Sequence, residues 1–280
     1  MGVIYSMLAL GISLIWNASG LFNFAQGDLL TLGGYFMLTF FSMLKLPWGL
    51  AFALSVVLMG IVGYALSQIY FYPMISNRVN PQIILIGTVA FSVFLRNLVL
   101  VVWGSTPKTY SHPFGKQVLR FGKVFVMPHI IWIVGITVVL LIILQYFLRR
   151  TMVGTAMRAV AQRQVAAWLM GIRNDRMIAL TFLLSTSIAA VAGVLIPAIL
   201  PLTPSMGGML QMKAMAAVVI GGLGSFSGAL VGGIAVGVSE AIFATLVNPA
   251  YRDIFVFGVL VFFLLFRPGG IFRAQVSEKV

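Results

Sequence analysis

Residues Ile130 to Leu148 read IIWIVGITVVLLIILQYFL and contain no charged side chain. A helix needs about twenty predominantly apolar residues to cross the hydrocarbon core of a bilayer. Runs of similar length recur along the 280 residues, of which 61% are hydrophobic, and the mean hydropathy is +1.07. The runs do not alternate with a period of two, so they predict helices rather than barrel strands. We therefore expect an all-α integral membrane protein, a polytopic helical bundle.

Nine apolar runs are candidate spans of a single transmembrane domain that covers residues 1–280. They are residues 3–16, 29–44, 48–70, 83–103, 130–148, 177–199, 209–220, 229–246 and 254–266. The run 209–220 is short and borders a glycine-rich stretch. The sequence therefore predicts eight full crossings, or nine if this short run is counted.

Segment 149–176 stands out because it holds six arginines and one acid, Asp175, in a chain where only 8% of residues are charged. Arginine and lysine accumulate in cytoplasmic loops, so this segment is expected in the cytoplasm. The basic residues near the C-terminus are expected on the same side: Arg267, Arg273 and Lys279.

The connector 103–129 is then expected outside the membrane, where its prolines and glycines allow short strands. Four basic residues in it oppose this assignment: Lys108, Lys116, Arg120 and Lys123. Six arginines outweigh four basic residues, and Arg149 and Arg150 directly follow a span. The prediction of a cytoplasmic 149–176 segment therefore stands.

The net charge of +13 does not indicate a nucleic-acid-binding protein, because the basic residues are scattered in short loops and at span ends rather than clustered with aromatic residues. Zero cysteines exclude disulfides, thiolate metal sites and a cysteine nucleophile. His112 and His129 lie in or beside one loop without a carboxylate cluster, which argues against a metal site.

Two polar, glycine-bearing stretches interrupt the apolar pattern: NASGLFNFAQGD at residues 17–28 and GGLGSFSG at residues 221–228. Broken helices at membrane depth are tolerated where they line a cavity or are buried in protein, and such breaks in both halves of a transporter mark a substrate path. Plain loops or close helix packing are the alternative. The small-residue spacings Gly228/Gly232 and Gly233/Gly237 predict tight helix contacts, within the chain or with a second copy.

Four charged residues lie in or at the edge of apolar runs: Asp28, Arg96, Lys213 and Glu240. An unpaired charge there costs at least a few kcal/mol, so each is expected to face a partner or a wet cavity. Lys213 is the nearest conceivable counter-ion of Glu240, and we treat this pairing as a hypothesis. Asp28 is interpreted either as the N-cap of the second span, which its position favours, or as a substrate contact.

Within segment 149–176, residues 151–168 have an amphipathic helical pattern. One face is apolar: Val153, Met157, Val160, Ala161 and Trp168. The opposite face is polar: Thr151, Thr155, Arg158 and Gln162. Such a helix either lies on lipid headgroups or docks into a groove of a soluble partner.

Four motifs together resemble the permeases of branched-chain amino acid ABC importers. They are Asn23-Phe-Ala-Gln-Gly-Asp28; Gly154-x-x-x-Arg158-Ala159 followed by Ala166-Ala167-x-x-x-Gly171-Ile172; Ile220-Gly-Gly-Leu-Gly-Ser225 followed by Gly228-Ala-Leu-Val-Gly-Gly233; and Pro268-Gly-Gly-Ile-Phe. They occur in the family's order over essentially the whole chain. Gln26 and Asp28 stand where the family commonly has His and Glu, which puts any pH-dependent role of that histidine in doubt.

The resemblance implies a non-catalytic permease of the bacterial or archaeal cytoplasmic membrane. Its implied partners are a second permease, identical or paralogous, two cytoplasmic ATPases and an external substrate-binding protein. The sequence contains no Gly-x-x-x-x-Gly-Lys-Ser/Thr phosphate loop, so ATP and Mg²⁺ are expected on the ATPases and no cofactor on this chain. The resemblance then favours docking of the amphipathic segment to an ATPase over its lying on the membrane surface. The residues expected to make this coupling contact are Gly154, Arg158, Ala159, Ala166, Ala167 and Gly171.

We expect the substrate path to be lined by Asn17, Asn23, Phe24 and Gln26, with exposed backbone from Gly221, Gly222 and Ser225. Few charges line this path, which suits a small zwitterion or a neutral amide. The alternatives are a permease for urea or short amides and, less in keeping with the scarcity of deep ionisable residues, an ATP-independent secondary transporter or channel.

Overall fold

The computed structural model describes residues 1–77, 79–110, 119–121, 124–246, 251–267 and 269–272. The helices are α1 (Gly2–Ser19), α2 (Gln26–Leu38), α3 (Trp48–Leu66), α4 (Tyr72–Ser76), α5 (Pro81–Trp103), α6 (Pro128–Arg150), α7 (Met152–Gln162), α8 (Gln164–Leu169), α9 (Asn174–Leu195), α10 (Met206–Gly221), α11 (Phe226–Leu246) and α12 (Arg252–Phe266). π-helical turns at Thr39–Met43 and Ser67–Phe71 extend α2 and join α3 to α4, and a 3₁₀ turn at Ile196–Ala198 extends α9.

Each of the nine predicted apolar runs coincides with a helix, which confirms the all-α membrane fold. Six helices among the described residues are long and apolar enough to cross a bilayer: 2–19, 48–76, 81–103, 128–150, 174–198 and 226–246. α2, α10 and α12 are shorter, with 13, 16 and 15 residues. Helix length alone therefore supports six crossings and does not confirm the predicted eight or nine.

Helices α1 and α9 form the centre of the bundle. Within their apolar windows 72% and 78% of residues are buried, against 17% for α6 at the periphery. The outer helices instead expose large aliphatic side chains, such as Val101 of α5 and Ile142 of α6. Exposed apolar faces on this scale are the lipid-facing surface expected of a membrane bundle.

The predicted small-residue contacts occur within the chain. A β-carbon on Gly233 would meet the backbone of Ser6, and one on Gly237 would meet Gly2, so α11 packs backbone to backbone against α1. On another face of α11, Gly232 lies against the Ala217 carbonyl of α10. Without side chains in between, the two backbones approach closely and gain van der Waals contact that lipid could not provide.

The connector between α5 and α6 contains an antiparallel hairpin, β1 (Leu119–Phe121) and β2 (Val124–Val126), as its composition allowed. Farther upstream, Lys108 pairs with Leu202 through two backbone hydrogen bonds of 3.0 and 2.8 Å. The connector is thereby fixed to the segment that leads from α9 into α10. Several residues of the sequence argument lie outside the described residues: His112, Lys116, Lys123, Pro268, Arg273 and Lys279.

Candidate functional site

The two polar interruptions are breaks between helices, and the structure brings them into contact. Helix α1 ends at Ser19, where Gly20 adopts φ 73°, a left-handed conformation that favours glycine. Gly224, in the break between α10 and α11, has φ 82°. The Asn17 side-chain amide donates a 2.8 Å hydrogen bond to the Gly224 carbonyl. No sequence pattern indicated this pairing, since the residues are far apart in the chain.

Asn23 and Gln26, both predicted to line the path, are buried in a polar network. The Gln26 amide donates to the carbonyl and hydroxyl oxygens of Ser185, at 3.0 and 2.9 Å. The Asn23 side-chain oxygen accepts a 3.0 Å hydrogen bond from the Ala25 backbone amide. The Asn23 backbone carbonyl accepts a 3.1 Å hydrogen bond from the Gln211 side-chain amide. The polar groups at the break at residues 20–25 are therefore hydrogen-bonded by other protein groups, as a break in a membrane helix requires. Neither Ser185 nor Gln211 was identified from the sequence.

Helices α2 and α10 run in opposite directions and meet at their N-termini. The contact point is Gly27 against Gly207: a β-carbon on either would overlap the other's carbonyl group. One turn farther on, Gln211 lies beside Gly27 and Thr31 beside Gly207. Two helix N-termini thus lie together inside the bundle, where their partial positive charges favour an anionic group.

Asp28 is the third residue of α2 and does not cap it. The N-cap residue is Ala25, and no side chain makes a capping hydrogen bond, so the capping interpretation is wrong. The Asp28 carboxylate instead accepts a short hydrogen bond from the Ser92 hydroxyl and lies 3.8 Å from Nε of Arg96 on α5. Asp28 therefore bonds to side chains of α5 rather than to the first turn of its own helix.

The Arg96 side chain is 40% exposed, whereas that of Asp28 is only 2% exposed. Arg96 also lies against Gly208, whose missing side chain leaves room for the guanidinium. Two buried oxygens at this junction accept no hydrogen bond from the described residues: Oδ1 of Asp28 and Oε1 of Gln211. The meeting point of α2, α5 and α10 therefore offers a half-exposed cation and unsatisfied acceptors.

The expected exposed backbone at Gly221 and Gly222 is not observed. Both residues are buried, and the amide of Phe272 donates a 3.0 Å hydrogen bond to the Gly221 carbonyl. The Gly222 carbonyl accepts from Ser225 at 3.1 Å, and the Ser225 hydroxyl accepts from the Gly228 amide at 3.0 Å. Ser225 thus caps α11. Phe24, by contrast, is half-buried, and its amide donates to the Thr88 hydroxyl at 3.2 Å.

The hypothesised pair of Lys213 and Glu240 forms, within a larger ionic cluster. The Lys213 ammonium lies 2.6 Å from Glu240 and 2.7 Å from Asp253. The Tyr5 hydroxyl donates a 2.7 Å hydrogen bond to the second oxygen of Glu240, and Arg252 lies 3.7 Å from its first. Two cations face two carboxylates, so the cluster is neutral and the buried charges are compensated. The sequence argument missed Tyr5, Arg252 and Asp253.

The amphipathic segment 151–168 is two helices rather than one. Arg163 between α7 and α8 is extended, with φ −150° and ψ 105°, so the expected single stripe is interrupted. Met157 and Val160 are buried as expected, but Val153 and Trp168 are exposed. The extended residue turns α8, so its apolar side chains no longer follow the stripe of α7.

The segment's outer surface is apolar on α8. Val165, Trp168, Leu169 and Met170 are each at least 66% exposed, and we call these four residues the α8 patch. Two residues proposed for ATPase coupling are buried, Gly154 and Ala167, and Ala159 is half-buried; Arg158, Ala166 and Gly171 are exposed. Gly154 has a packing role, since a β-carbon there would overlap Phe147 and Leu148 at the end of α6.

Arg173, at the end of the same segment, donates to Asp175 at 2.8 Å. This hydrogen bond raises the pKa of the Arg173 guanidinium above its ordinary value. The pair neutralises the only acid of the segment. The other five arginines of the segment are exposed.

Comparison with known proteins identifies one family over nearly the whole chain. Residues 1–264 match the family described as "Branched-chain amino acid transport system / permease component". The chain is 32% identical to the high-affinity branched-chain amino acid transport system permease protein LivH of Escherichia coli (strain K12), covering 100% of this chain and 94% of that protein. Identity to BraD of Pseudomonas aeruginosa, a permease protein of the same description, is also 32%, over 100% and 94%.

An archaeal relative extends the match beyond bacteria. It is a probable branched-chain amino acid transport permease protein LivH of Methanocaldococcus jannaschii, 31% identical over 96% of this chain and 90% of its own length. No solved structure matches significantly. Full-length coverage, the four ordered motifs and the apolar bundle agree, and the chain belongs to the family of branched-chain amino acid transport system permease components.

Proposed function

We propose that the chain is the permease subunit of an ATP-binding-cassette importer in the cytoplasmic membrane and forms the translocation path for branched-chain amino acids. The observation that carries this proposal is the family match over residues 1–264, which leaves no part of the bundle unaccounted for by a permease. The chain itself binds no cofactor in this proposal. ATP and Mg²⁺ are bound by two separate ATPase subunits, and an external protein delivers the amino acid to a pair of permeases.

The path is proposed to pass the junction of α2, α5 and α10. Arg96 lies about 10 Å from the Trp103 end of α5 along the helix axis, within the hydrocarbon depth of a 30 Å bilayer core. A 40% exposed guanidinium at that depth is too costly against lipid, so this surface faces a second subunit or water. Asn23 and Phe24 lie in the break that leads into this junction, and Asn17 and Gln26 lie in the helices on either side of it.

The charges at the junction suit a zwitterion better than urea. The guanidinium of Arg96 and the two helix N-termini favour a carboxylate, and the unsatisfied Oδ1 of Asp28 favours an ammonium group. A neutral diamide such as urea would leave Arg96 and Asp28 with no counter-charge other than each other. The arrangement therefore favours an amino acid over the urea or short-amide alternative, while the apolar side-chain preference is set by the external protein.

The segment 149–176 is proposed to be the coupling element on the cytoplasmic side. The α8 patch exposes four large apolar side chains, and Arg158 on α7 is also exposed, a composition typical of interface anchors. A short helix of this kind docks into a groove on a partner. The extended residue Arg163 and Gly171, with φ 82°, allow α8 to turn relative to α7 and α9.

Transport is proposed to proceed by alternating access. ATP binding closes the two ATPases, which moves α7 and α8 and switches the path from facing the cytoplasm to facing outward. Nucleotide bound to the partner provides the free-energy difference between the two states that such a switch requires. The amino acid enters from the external protein, and hydrolysis resets the path.

Uptake by cells tests this proposal. A strain lacking this chain is expected to lose energy-dependent uptake of radiolabelled leucine, isoleucine and valine, and a plasmid copy is expected to restore it. Labelled urea and labelled proline serve as comparison solutes. If urea uptake fell while leucine uptake stayed, the substrate assignment would be wrong; transport by the purified chain alone in vesicles would refute the ATPase requirement.

A further inference from the structure

A cavity of about 280 Å³ opens between α1, α6, α7 and α11, away from the junction of α2, α5 and α10. Its lining is mainly apolar, formed by leucines of α1, α6 and α11 that include Leu10, Leu141 and Leu230, with Gln145 of α6 among them. Its polar rim carries two guanidiniums, those of Arg149 and Arg158, and Ser227 at the start of α11. The volume is close to the lower end of ligand pockets, about 300 Å³.

The two arginines have no acidic partner within the described part of the chain. The sequence contains five acids, and the four described ones are engaged elsewhere: Asp28 with Arg96, Asp175 with Arg173, and Glu240 and Asp253 with Lys213. Arg149 ends α6 and Arg158 lies in the middle of α7, yet both contribute to one cavity. The rim is therefore a positive site without a counter-ion from these acids.

The N-terminus of α11 adds to this positive potential. Phe226 and Ser227 occupy its first turn, where backbone amides lack a carbonyl partner within the helix. The Ser225 hydroxyl caps only the Gly228 amide. Amides at the start of a 21-residue helix and two guanidiniums converge on the same rim, an arrangement that favours a phosphate group.

The apolar part of the cavity runs along α6 from Leu148 to Leu141, about 10 Å toward the bilayer interior. The rim lies at the end of α6, where this span leaves the hydrocarbon core. A ligand that fits both parts has an anionic head at the membrane surface and an aliphatic chain directed inward. A free anion would use the rim alone and leave the leucine-lined part empty.

We propose that this cavity binds an anionic phospholipid of the cytoplasmic leaflet. The phosphate lies between Arg149, Arg158 and the start of α11, and part of an acyl chain packs against the leucines of α1, α6 and α11. Basic pockets between membrane helices on the cytoplasmic side bind lipid headgroups for the same physical reason. The bound lipid connects α7 to α6 and α11, so anionic lipid content regulates how firmly the amphipathic segment is held.

Native mass spectrometry of the purified full chain tests the proposal. Delipidated protein is titrated with phosphatidylglycerol and, separately, with phosphatidylcholine of the same chains. We expect one phosphatidylglycerol to bind at least tenfold more tightly than phosphatidylcholine. Arg149→Gln and Arg158→Gln are each expected to weaken phosphatidylglycerol binding about fivefold, the effect of one basic residue near a lipid surface.

Arg150→Gln is the matched control, because Arg150 is also exposed and adjacent in sequence but does not line the cavity. It is expected to bind phosphatidylglycerol like the unaltered chain. Leu141→Trp fills the apolar part and is expected to weaken lipid binding with both arginines intact. Size-exclusion elution reports whether each variant is folded.

A free anion and a phospholipid at this site predict different results. If millimolar inorganic phosphate displaced phosphatidylglycerol completely and Leu141→Trp had no effect, the site would be one for a free anion and the lipid proposal would be overturned. Equal loss of binding in Arg149→Gln and Arg150→Gln would overturn it as well, because the attraction would then be a general surface effect.

Discussion

Lys213 on α10 and Glu240 on α11 form a 2.6 Å ion pair between side chains that are 3% and 8% exposed. The pair is the centre of a neutral cluster in which Lys213 also contacts Asp253. Taking such charges out of water is costly, and compensation is what keeps them in place. The two partners are not equivalent, since Lys213 contacts two carboxylates directly and Glu240 contacts one ammonium.

Replacing Lys213 is therefore expected to be more destabilising than replacing Glu240. Lys213→Met leaves two carboxylates with only Arg252 nearby, and we expect a loss of about 3–5 kcal/mol. Glu240→Gln leaves Lys213 paired with Asp253, so a loss of about 1 kcal/mol is expected. Thermal unfolding in detergent measures both. The reverse order would show that the Asp253 contact does not compensate Lys213.

The contact between Lys213 and Asp253 also predicts the result of exchanging Lys213 and Glu240. A chain with both Lys213→Glu and Glu240→Lys is expected to remain less stable than the unaltered chain, because the new carboxylate at position 213 would face Asp253. Adding Asp253→Asn is expected to restore part of the lost stability. Full recovery by the double exchange alone would contradict the role given to Asp253.

Gly27→Val is expected to separate α2 from α10 and lower stability by about 3 kcal/mol, since the added atoms would overlap the Gly207 carbonyl. Gly135→Val on α6 is the control, because a β-carbon there meets nothing within 4 Å. Monodisperse yield after size exclusion compares the two variants. Similar yields would show that α2 and α10 do not meet as described.

Arg96→Gln is expected to reduce leucine transport by about tenfold or more while leaving ATPase association unchanged, as expected for loss of a charged hydrogen bond to substrate. Asn97→Ala is the control, because the neighbouring Asn97 is exposed and its amide donates to its own helix, at the Val93 carbonyl. Uptake and co-purification are measured on the same preparations. Unaltered leucine uptake in Arg96→Gln would remove this residue from the path.

Trp168→Ala on the α8 patch is expected to weaken recovery of the ATPase subunits by about thirtyfold, the cost of about 2 kcal/mol typical of an interface anchor. Insertion into the membrane should be unaffected, since the side chain is 66% exposed. Ile142→Ala, also an exposed apolar residue but on the lipid-facing side of α6, is the control. Equal recovery from both variants would refute docking through this patch.

The lengths of the apolar runs identified every long helix of the described residues, because the bilayer imposes a simple length and polarity requirement. Boundaries agree within a few residues, as for the run 130–148 and α6 at Pro128–Arg150. The predicted eight or nine crossings are not confirmed by helix length, because apolar runs of 12 to 18 residues do not show whether a helix spans the membrane. α2 and α10, with 13 and 16 residues, are such helices.

Contacts within the site were harder to predict from the sequence. Lys213 and Glu240 were paired because a buried charge needs a counter-ion, and this argument was confirmed. The same argument did not predict that Arg252 and Asp253 join the pair, because both lie at the end of a span, where charged residues are usually exposed. The capping role of Asp28 failed because helix α2 begins three residues before its hydrophobic run, at Gln26, whose side chain is hydrogen-bonded to Ser185.

The backbone pairing of Lys108 with Leu202 connects the segment between α5 and α6 to the segment that precedes α10. Leu202 lies four residues before α10, whose opposite end, Gly221, is held by Phe272. α10 is thus held near both ends, by the α5–α6 connector just before its start and by the C-terminal residues at Gly221. Because α10 is one continuous helix between these two attachments, a displacement at either attachment would be transmitted along it to the other.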